Sequence, residues 1–465
     1  MNTGRNAGAE VARFGRDELY DLVGFGFGPA NMSLAIILEE AEAQGQGLKS
    51  LFLEARHTHA WHPAMMLEGS LIQITALKDL ITVHNPCSRF TFLNYLKQKG
   101  RLFDFLNLRD LFPTRIEYND YLCWVAAELG DRVRNDKRVV GVTPRPAGSD
   151  GVVRELEVAV VDGRTGRSEG FRTRNVVIAT GGIPVAPRGI ELSPNGRAIH
   201  SHYFLDRMRR DFPDRSKPYR FVVMGSGQSA AELFLYLIQN YPNSDVTATV
   251  RRFAYKPVDE SDFTNRIFFP EWVDYYYDLP REKRQAFFED LKDVNYAVVD
   301  HALIKRINRT LYDLKAEGRN RARMIPFLEL TAIEELGDAV RARYRDVMNG
   351  EQHVFTADAM IVCSGYEWPK RHPALSELDA MFHSEGEGYR MERDYSITST
   401  PELTAKVFLQ GYNEASHGIS ETVLSLVPVR ADKIFQSIWK SSEPARSREG
   451  AGENERLLVA AGEKA

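Results

Sequence analysis

Two short glycine clusters carry the chemistry that can be read most directly from this chain. In the first, Gly26, Gly28 and Asn31 sit at G-x-G-x-x-(small or polar) spacing, with Pro29 opening the helical pattern that follows. In the second, Gly225, Gly227 and Ala230 hold the same spacing, with Gln228 and Ser229 between them. At such a turn the first Gly allows the sharp reversal, and the second lets backbone approach a pyrophosphate at the positive end of the next helix. Asn31 stands where the general fingerprint has a third Gly, whereas Ala230 keeps that position small. Glu54 closes the strand-like run Leu51-Phe52-Leu53, where a carboxylate can accept hydrogen bonds from ribose hydroxyls. The matching place after the second cluster holds Arg251-Arg252 instead. A cation there suits the 2′-phosphate of NADP, although arginines also commonly end a solvated strand. Two dinucleotide sites on one chain imply FAD reduced by NADPH, with FAD on the first cluster and NADPH on the second.

The destination of the electrons is narrowed by what is missing. A disulfide reductase needs a redox cysteine pair. Cys87, Cys123 and Cys363 are widely spaced and odd in number, so they supply neither such a pair nor a disulfide framework nor a zinc cluster. The reduced flavin must pass its electrons elsewhere, and dioxygen is the obvious acceptor.

The elements that must position these groups follow from apolar periodicity. Residues 20–23 form a short apolar run, the Gly turn follows, and MSLAIILEEAEAQ then has helical spacing. The order returns as YRFVVM, GSGQSAAE and LFLYLIQNY. The expected fold is α/β, with two Rossmann-like dinucleotide-binding domains and a helical substrate-binding insertion over about 255–330, where aromatic residues and helical patterns concentrate. The expected boundaries are a tail over 1–17, an FAD-binding domain over 18–212 that resumes at 359–440, an NADPH-binding domain over 213–358, and a tail over 441–465. The chain has 465 residues, 43% of them hydrophobic and 27% charged, which is ordinary globular composition. Sixty basic against 64 acidic residues leave a net charge of −4, too even for a nucleic-acid-binding field. No apolar run approaches the roughly 18–20 residues of a membrane span, and the first residues have no apolar signal core. The expected location is cytoplasmic.

Longer stretches carry a family resemblance. GFGFGPANMSLA, AWHPAMMLEGSLIQITALKDLITVHNPCSRF, GSGQSAAE, DESDFTNRIF, NYAVVD and LQGYNEASHGISETVLS, spread over about residues 20–435, resemble the flavin-dependent N-hydroxylating monooxygenases of siderophore biosynthesis. KGRLFDFLNLRDLFPTR is more similar to the ornithine branch than to the lysine branch. The resemblance implies that Lys78 pairs with a substrate α-carboxylate, that Asn265 and Asn295 hold its α-amino and carboxylate groups, and that Ser425, close to Ser420, lies near substrate and flavin. It also implies Gln73, Trp61 and His62 beside the flavin, and Gly227, Gln228, Ser229 and Arg251 on NADPH. Two departures adjoin these positions: Ala76 replaces a usual Phe, and Arg266 a usual Glu.

The activity implied is FAD- and NADPH-dependent hydroxylation of the side-chain amine of L-ornithine through a flavin hydroperoxide. No metal or protein nucleophile takes part, and the partners are ornithine, dioxygen and further copies of the chain in a dimer or tetramer. L-lysine and a diamine such as putrescine remain alternative substrates, although a diamine has no carboxylate for Lys78. A flavoprotein NADPH oxidase or electron-transfer protein is the alternative from another class, and it has no use for Lys78, Asn265 and Asn295 together.

Overall fold

The computed structural model describes residues 18–146 and 149–442. Both glycine clusters lie at the carboxyl ends of parallel sheets. In the first unit β1 (Leu22–Phe25), α1 (Pro29–Ala43) and β2 (Ser50–Leu53) form the strand-turn-helix-strand read from the sequence. β1 is the middle strand of five, flanked by residues 175–178 and 406–409 on one side and by β2 and 133–134 on the other, all parallel. Its residues are buried on both faces, as a sheet covered on both sides requires.

The second unit repeats the plan with β3 (Arg220–Met224), α2 (Gln228–Asn240) and β4 (Asp245–Thr249). An excursion follows through α3 (Pro270–Asp278) and α4 (Arg281–Leu291). The chain then returns through α5 (His301–Ala316) to β5 (Ala322–Ile325), which pairs in parallel with β4. The helical insertion is therefore shorter than the expected 255–330. α5 and β5 are the next helix and strand of the nucleotide-binding unit itself, and their apolar periodicity is the same as an inserted helix would show. An antiparallel sheet of β6 (Leu328–Glu335), β7 (Val340–Asp346) and β8 (Gln352–Ala357) completes this unit.

Sheet membership also moves the crossings between units. Residues 198–200 and 359–362 are strands of the second sheet, whereas the expected boundaries placed them in the first unit. The connecting segments meet lower down, where Ile183–Pro184 pairs antiparallel with Tyr366–Glu367. The expected tails lie outside the described residues, except 441 and 442, which continue a helix begun at 427. Among the described residues no helix is long and apolar enough to cross a membrane.

Candidate active site

The first glycine turn is built to leave room. Gly26 has φ +76°, and a Cβ there would lie 2.7 Å from the Ala179 carbonyl oxygen. Gly28 has ordinary angles (φ −83°, ψ −175°) and caps α1 without any side-chain hydrogen bond. A Cβ on Gly28 would meet nothing within 4 Å. An apolar, buried helix that begins with open backbone donors and open space above them fits an anionic ligand. The contrast with other helices is direct, because Thr91, Thr114 and Asp300 each accept a backbone N–H at their own helix starts. Pro29 is the first residue of α1. Asn31 is fully buried: its Nδ2 donates to the Phe25 and Gly26 carbonyls at 3.1 and 2.7 Å, and its Oδ1 accepts from Gln410 Nε2 at 2.9 Å. It braces the turn from behind. Glu54 accepts from the backbone N–H groups of Phe27 and Arg56, each at 2.9 Å, and thus stands beside the turn at the end of β2.

The second turn repeats this design. A Cβ on Gly225 (φ +144°) would lie 2.8 Å from the Cys363 carbonyl oxygen and 3.0 Å from the Ala230 Cβ, so both the Gly and the small third residue are required by packing. Gly227 caps α2 without a side-chain bond, and Ser229 is half-buried in the first turn. Gln228 Oε1 accepts from the Asp300 N–H at 2.9 Å, while Nε2 donates to Glu232 Oε1 at 3.0 Å. The same Glu232 oxygen accepts from Arg115 at 3.0 Å, and Arg115 also donates to the Met65 carbonyl at 2.8 Å. This mostly buried ion pair ties the second unit's helix to the first unit. Arg251 is exposed, with its guanidinium 3.8 Å from Glu329. Arg252 reaches Asp293 at 3.5 Å. The open helix starts at both turns therefore fit the pyrophosphates of two dinucleotides.

Trp61 and His62 lie between the units. Their rings meet edge to face at 5.1 Å, and His62 lies 5.9 Å from Tyr366 in the strand pair where the chain crosses. His62 is a left-handed non-glycine residue (φ +48°). Burial, reinforced by the nearby Arg115, pulls its pKa down to about 4, so the ring is neutral at physiological pH.

The residues that the resemblance assigns to the substrate lie on two parts of the structure. Lys78 is half-buried and its ammonium forms no ion pair within the described residues. Its loop is fixed by Asp79, which is buried and accepts from the N–H groups of Ile81, Thr82 and Phe92 at 2.9, 2.7 and 2.6 Å. Ser33 of α1 donates to the Leu80 carbonyl at 2.6 Å, which ties the lysine loop to the first nucleotide helix. Ala76, Leu80 and Ile81 belong to a core cluster on which Leu424 packs. Ile267, Val294 and Ile419 form another cluster, which brings the half-buried Asn265 and the exposed Asn295 beside residues 419–425. Ser425 and Ser420 are both buried. Gln73 is exposed near the lysine loop. Of the two departures, Ala76 is core and Arg266 is exposed.

Sequence reasoning missed several groups here. Tyr296 donates to Glu414 and lies 3.1 Å from the Thr422 hydroxyl; burial raises the Glu414 pKa. Glu421 and Arg430 form a buried ion pair at 2.8 Å, with Glu421 also accepting from the Gly411 N–H at 2.7 Å and Arg430 donating to Gln410 at 3.2 Å. Through Gln410 this network reaches Asn31 and hence the first glycine turn. The sequence signal for the acids among them was two acids and one amide within GYNEASHGISETV, which looks equally like a solvated loop.

Comparison with known proteins follows the same lines. The sequence pattern of the family described as L-lysine 6-monooxygenase/L-ornithine 5-monooxygenase matches residues 18–368. An L-ornithine N(5)-monooxygenase of Pseudomonas aeruginosa is 36% identical over 430 residues, covering 92% of this chain and 95% of that protein. The solved structure of an ornithine hydroxylase from Pseudomonas aeruginosa is 34% identical, with TM-score 0.84, 92% of this chain covered and 100% of that one. An ornithine N-hydroxylase of Kutzneria sp. 744, solved with reduced FAD, NADP⁺ and L-ornithine, has TM-score 0.86, 34% identity and the same coverage.

Proposed function

The chain belongs to the L-lysine 6-monooxygenase/L-ornithine 5-monooxygenase family, and we propose that it hydroxylates the side-chain amine of L-ornithine, with FAD and NADPH as cofactors, for hydroxamate siderophore synthesis. The observation that supports this reading is the ammonium of Lys78, which has no ion pair among the described residues and sits on a loop tied to α1, together with the packing of Ile267, Val294 and Ile419, next to Asn265, Asn295 and the 419–425 segment.

FAD reduced by NADPH supplies the activation of dioxygen. The chain supplies everything that makes the reaction selective. Gly26 and Gly28 keep space for the pyrophosphate of FAD over the start of α1, and Glu54 stands where the ribose hydroxyls fall. Gly225, Gly227, Gln228 and Ser229 serve NADPH in the same way, and Arg251 supports the choice of NADPH over NADH. Lys78 holds the α-carboxylate of the amino acid, and the two asparagines fix its α-amino end, so that the far amine is delivered at one distance. An alkyl ammonium has a pKa near 10.4, as for Lys. The site must therefore favour the neutral amine. The apolar wall of Ile267, Phe288 and Ile419 acts in that direction, since desolvation disfavours the charged form, and it also excludes water from the reacting atoms.

The test is product analysis by mass with ornithine, lysine and putrescine supplied in parallel. Hydroxyornithine should dominate at equal amine concentration. Dominant hydroxylysine or hydroxyputrescine would replace the proposed substrate, and no hydroxylated amine from any of them would return the protein to the oxidase class.

A further inference from the structure

The corner beyond Arg251 is built more elaborately than one exposed arginine needs. Arg251 stands two residues after the end of β4, and β6 begins against this segment: the Leu328 N–H donates to the Val250 carbonyl at 3.0 Å and the Phe327 N–H to the Arg252 carbonyl at 3.2 Å. Phe327 is left-handed, with φ +64°. For a bulky side chain this is a strained conformation of the kind that clusters at ligand sites. It is clamped on its other side by the Val347 N–H, which donates to the Phe327 carbonyl at 2.8 Å. The conformation sets the Phe327 ring 5.9 Å from that of Phe253, tilted by 41°. Phe253 is 74% exposed, an unusual fate for a phenylalanine placed four residues after a nucleotide-unit strand end.

The charges beside this aromatic pair are also matched to a ligand. Glu329 faces Arg345 across the β6–β7 ladder and accepts from its guanidinium at 2.8 Å, while the other Glu329 oxygen lies 3.8 Å from Arg251. Two guanidinium groups thus converge on one carboxylate and leave the spot with a net charge of +1. With Arg251 alone, Glu329 would neutralise it. A 2′-phosphate carries about −1.5 to −2 charges near neutral pH, so the second cation decides whether this corner distinguishes a phosphate from a hydroxyl.

We propose that Phe253, Phe327 and Arg345 complete the seat for the adenosine 2′-phosphate end of NADPH, Arg345 as the second phosphate cation and the two rings as the platform for adenine. This rests on the reading of the second unit as an NADPH site. The experiment is titration of the FAD-loaded enzyme with NADP⁺ and with NAD⁺ by calorimetry, using wild type, Arg345→Gln, Phe253→Ala and, as control, Arg341→Gln, which loses only a pair with Glu334 on the same face. Arg345→Gln should weaken NADP⁺ about tenfold, as for one charged hydrogen bond, and leave NAD⁺ within about twofold. Phe253→Ala should weaken both about tenfold, as loss of base stacking does, because adenine is common to both. The control should match wild type. An unchanged NADP⁺/NAD⁺ ratio in Arg345→Gln overturns the cation assignment, and unchanged affinities in Phe253→Ala overturn the platform. Wild type that fails to prefer NADP⁺ would overturn the NADPH reading itself, a result separable from both.

Discussion

Replacing Gly28 by Ala separates space kept for a ligand from space needed by the fold. The angles at Gly28 suit any residue and its Cβ would touch nothing within 4 Å. Two small terms act on the ligand-free protein. Ala is worse than Gly at a helix start by about 0.5–1 kcal/mol, and the loss of unfolded-chain freedom returns about 0.4–1 kcal/mol. The sum is near zero. With FAD present, the methyl group would fill the gap over the open N–H groups of α1 and displace the pyrophosphate. Losing two charge-assisted hydrogen bonds at about 1.5–3 kcal/mol each amounts to about 3–6 kcal/mol, or roughly a hundred- to ten-thousandfold in FAD affinity. Gly26→Ala provides the contrast, because φ +76° and a carbonyl at 2.7 Å make it costly with or without flavin. The assay is urea unfolding of the flavin-free variants together with FAD titration followed by flavin fluorescence. Gly28→Ala should unfold like wild type and bind FAD very poorly. A variant that binds FAD normally would show that no pyrophosphate lies over Gly28, and one that is destabilised by more than about 1 kcal/mol without flavin would refute the claim of open space.

Further predictions concern the buried charges. Arg430→Met leaves the carboxylate of Glu421 buried and unpaired, which should lower stability by about 3–5 kcal/mol and loosen the flavin turn through Gln410; adding Glu421→Gln should recover part of the loss in the same urea assay, and additive losses would deny that the two are coupled. His62 and His417 have pKa values pulled by burial to about 4 and about 3, against about 6.5 when unfolded. The unfolded chain therefore binds more protons below pH 6.5, and the stability contributed by the neutral rings is present above that pH and lost as pH falls toward 4 and 3. For His62 this is on the order of 3 kcal/mol, so His62→Gln should flatten the fall in urea midpoint between pH 7 and 4.5, whereas an unchanged slope would assign it to other groups.

The parts of the fold that were legible in the sequence are those where a ligand constrains residue type at fixed spacing. Gly26, Gly28, Gly225 and Gly227 could be placed with their strands and helices, Gly26 and Gly225 because backbone crowds their Cβ positions and Gly28 and Gly227 because they leave an open helix start. Glu54 was legible as a strand-end acid for the same reason. The limits of the insertion were not, since α5 carries an apolar stripe whether it covers a sheet or closes over a substrate, and only the pairing of β5 with β4 decides. Asn31 read as a variant fingerprint residue, yet its function in the turn depends on Gln410, far along the chain. Glu421 and Arg430 stand nine residues apart at the two ends of the largely apolar stretch TVLSLVPV, and nothing local shows that the two pair with each other. Arg345 reaches Glu329, and through it Arg251, only by the β6–β7 ladder.

The claim that a free amino acid is held by Lys78 for oxygen transfer to its side-chain amine is tested most directly by measuring hydroxyornithine and hydrogen peroxide in one reaction, per NADPH consumed, for wild type and Lys78→Ala. Lys78 is half-buried and unpaired, so loss of its charged hydrogen bond to the carboxylate, about 1.5–3 kcal/mol, should weaken ornithine about ten- to a hundredfold. Wild type should yield mostly hydroxyornithine. The variant should still bind FAD and consume NADPH, but at low ornithine concentration it should release mostly peroxide. Hydroxyornithine formed by Lys78→Ala at wild-type yield under those conditions would contradict the account.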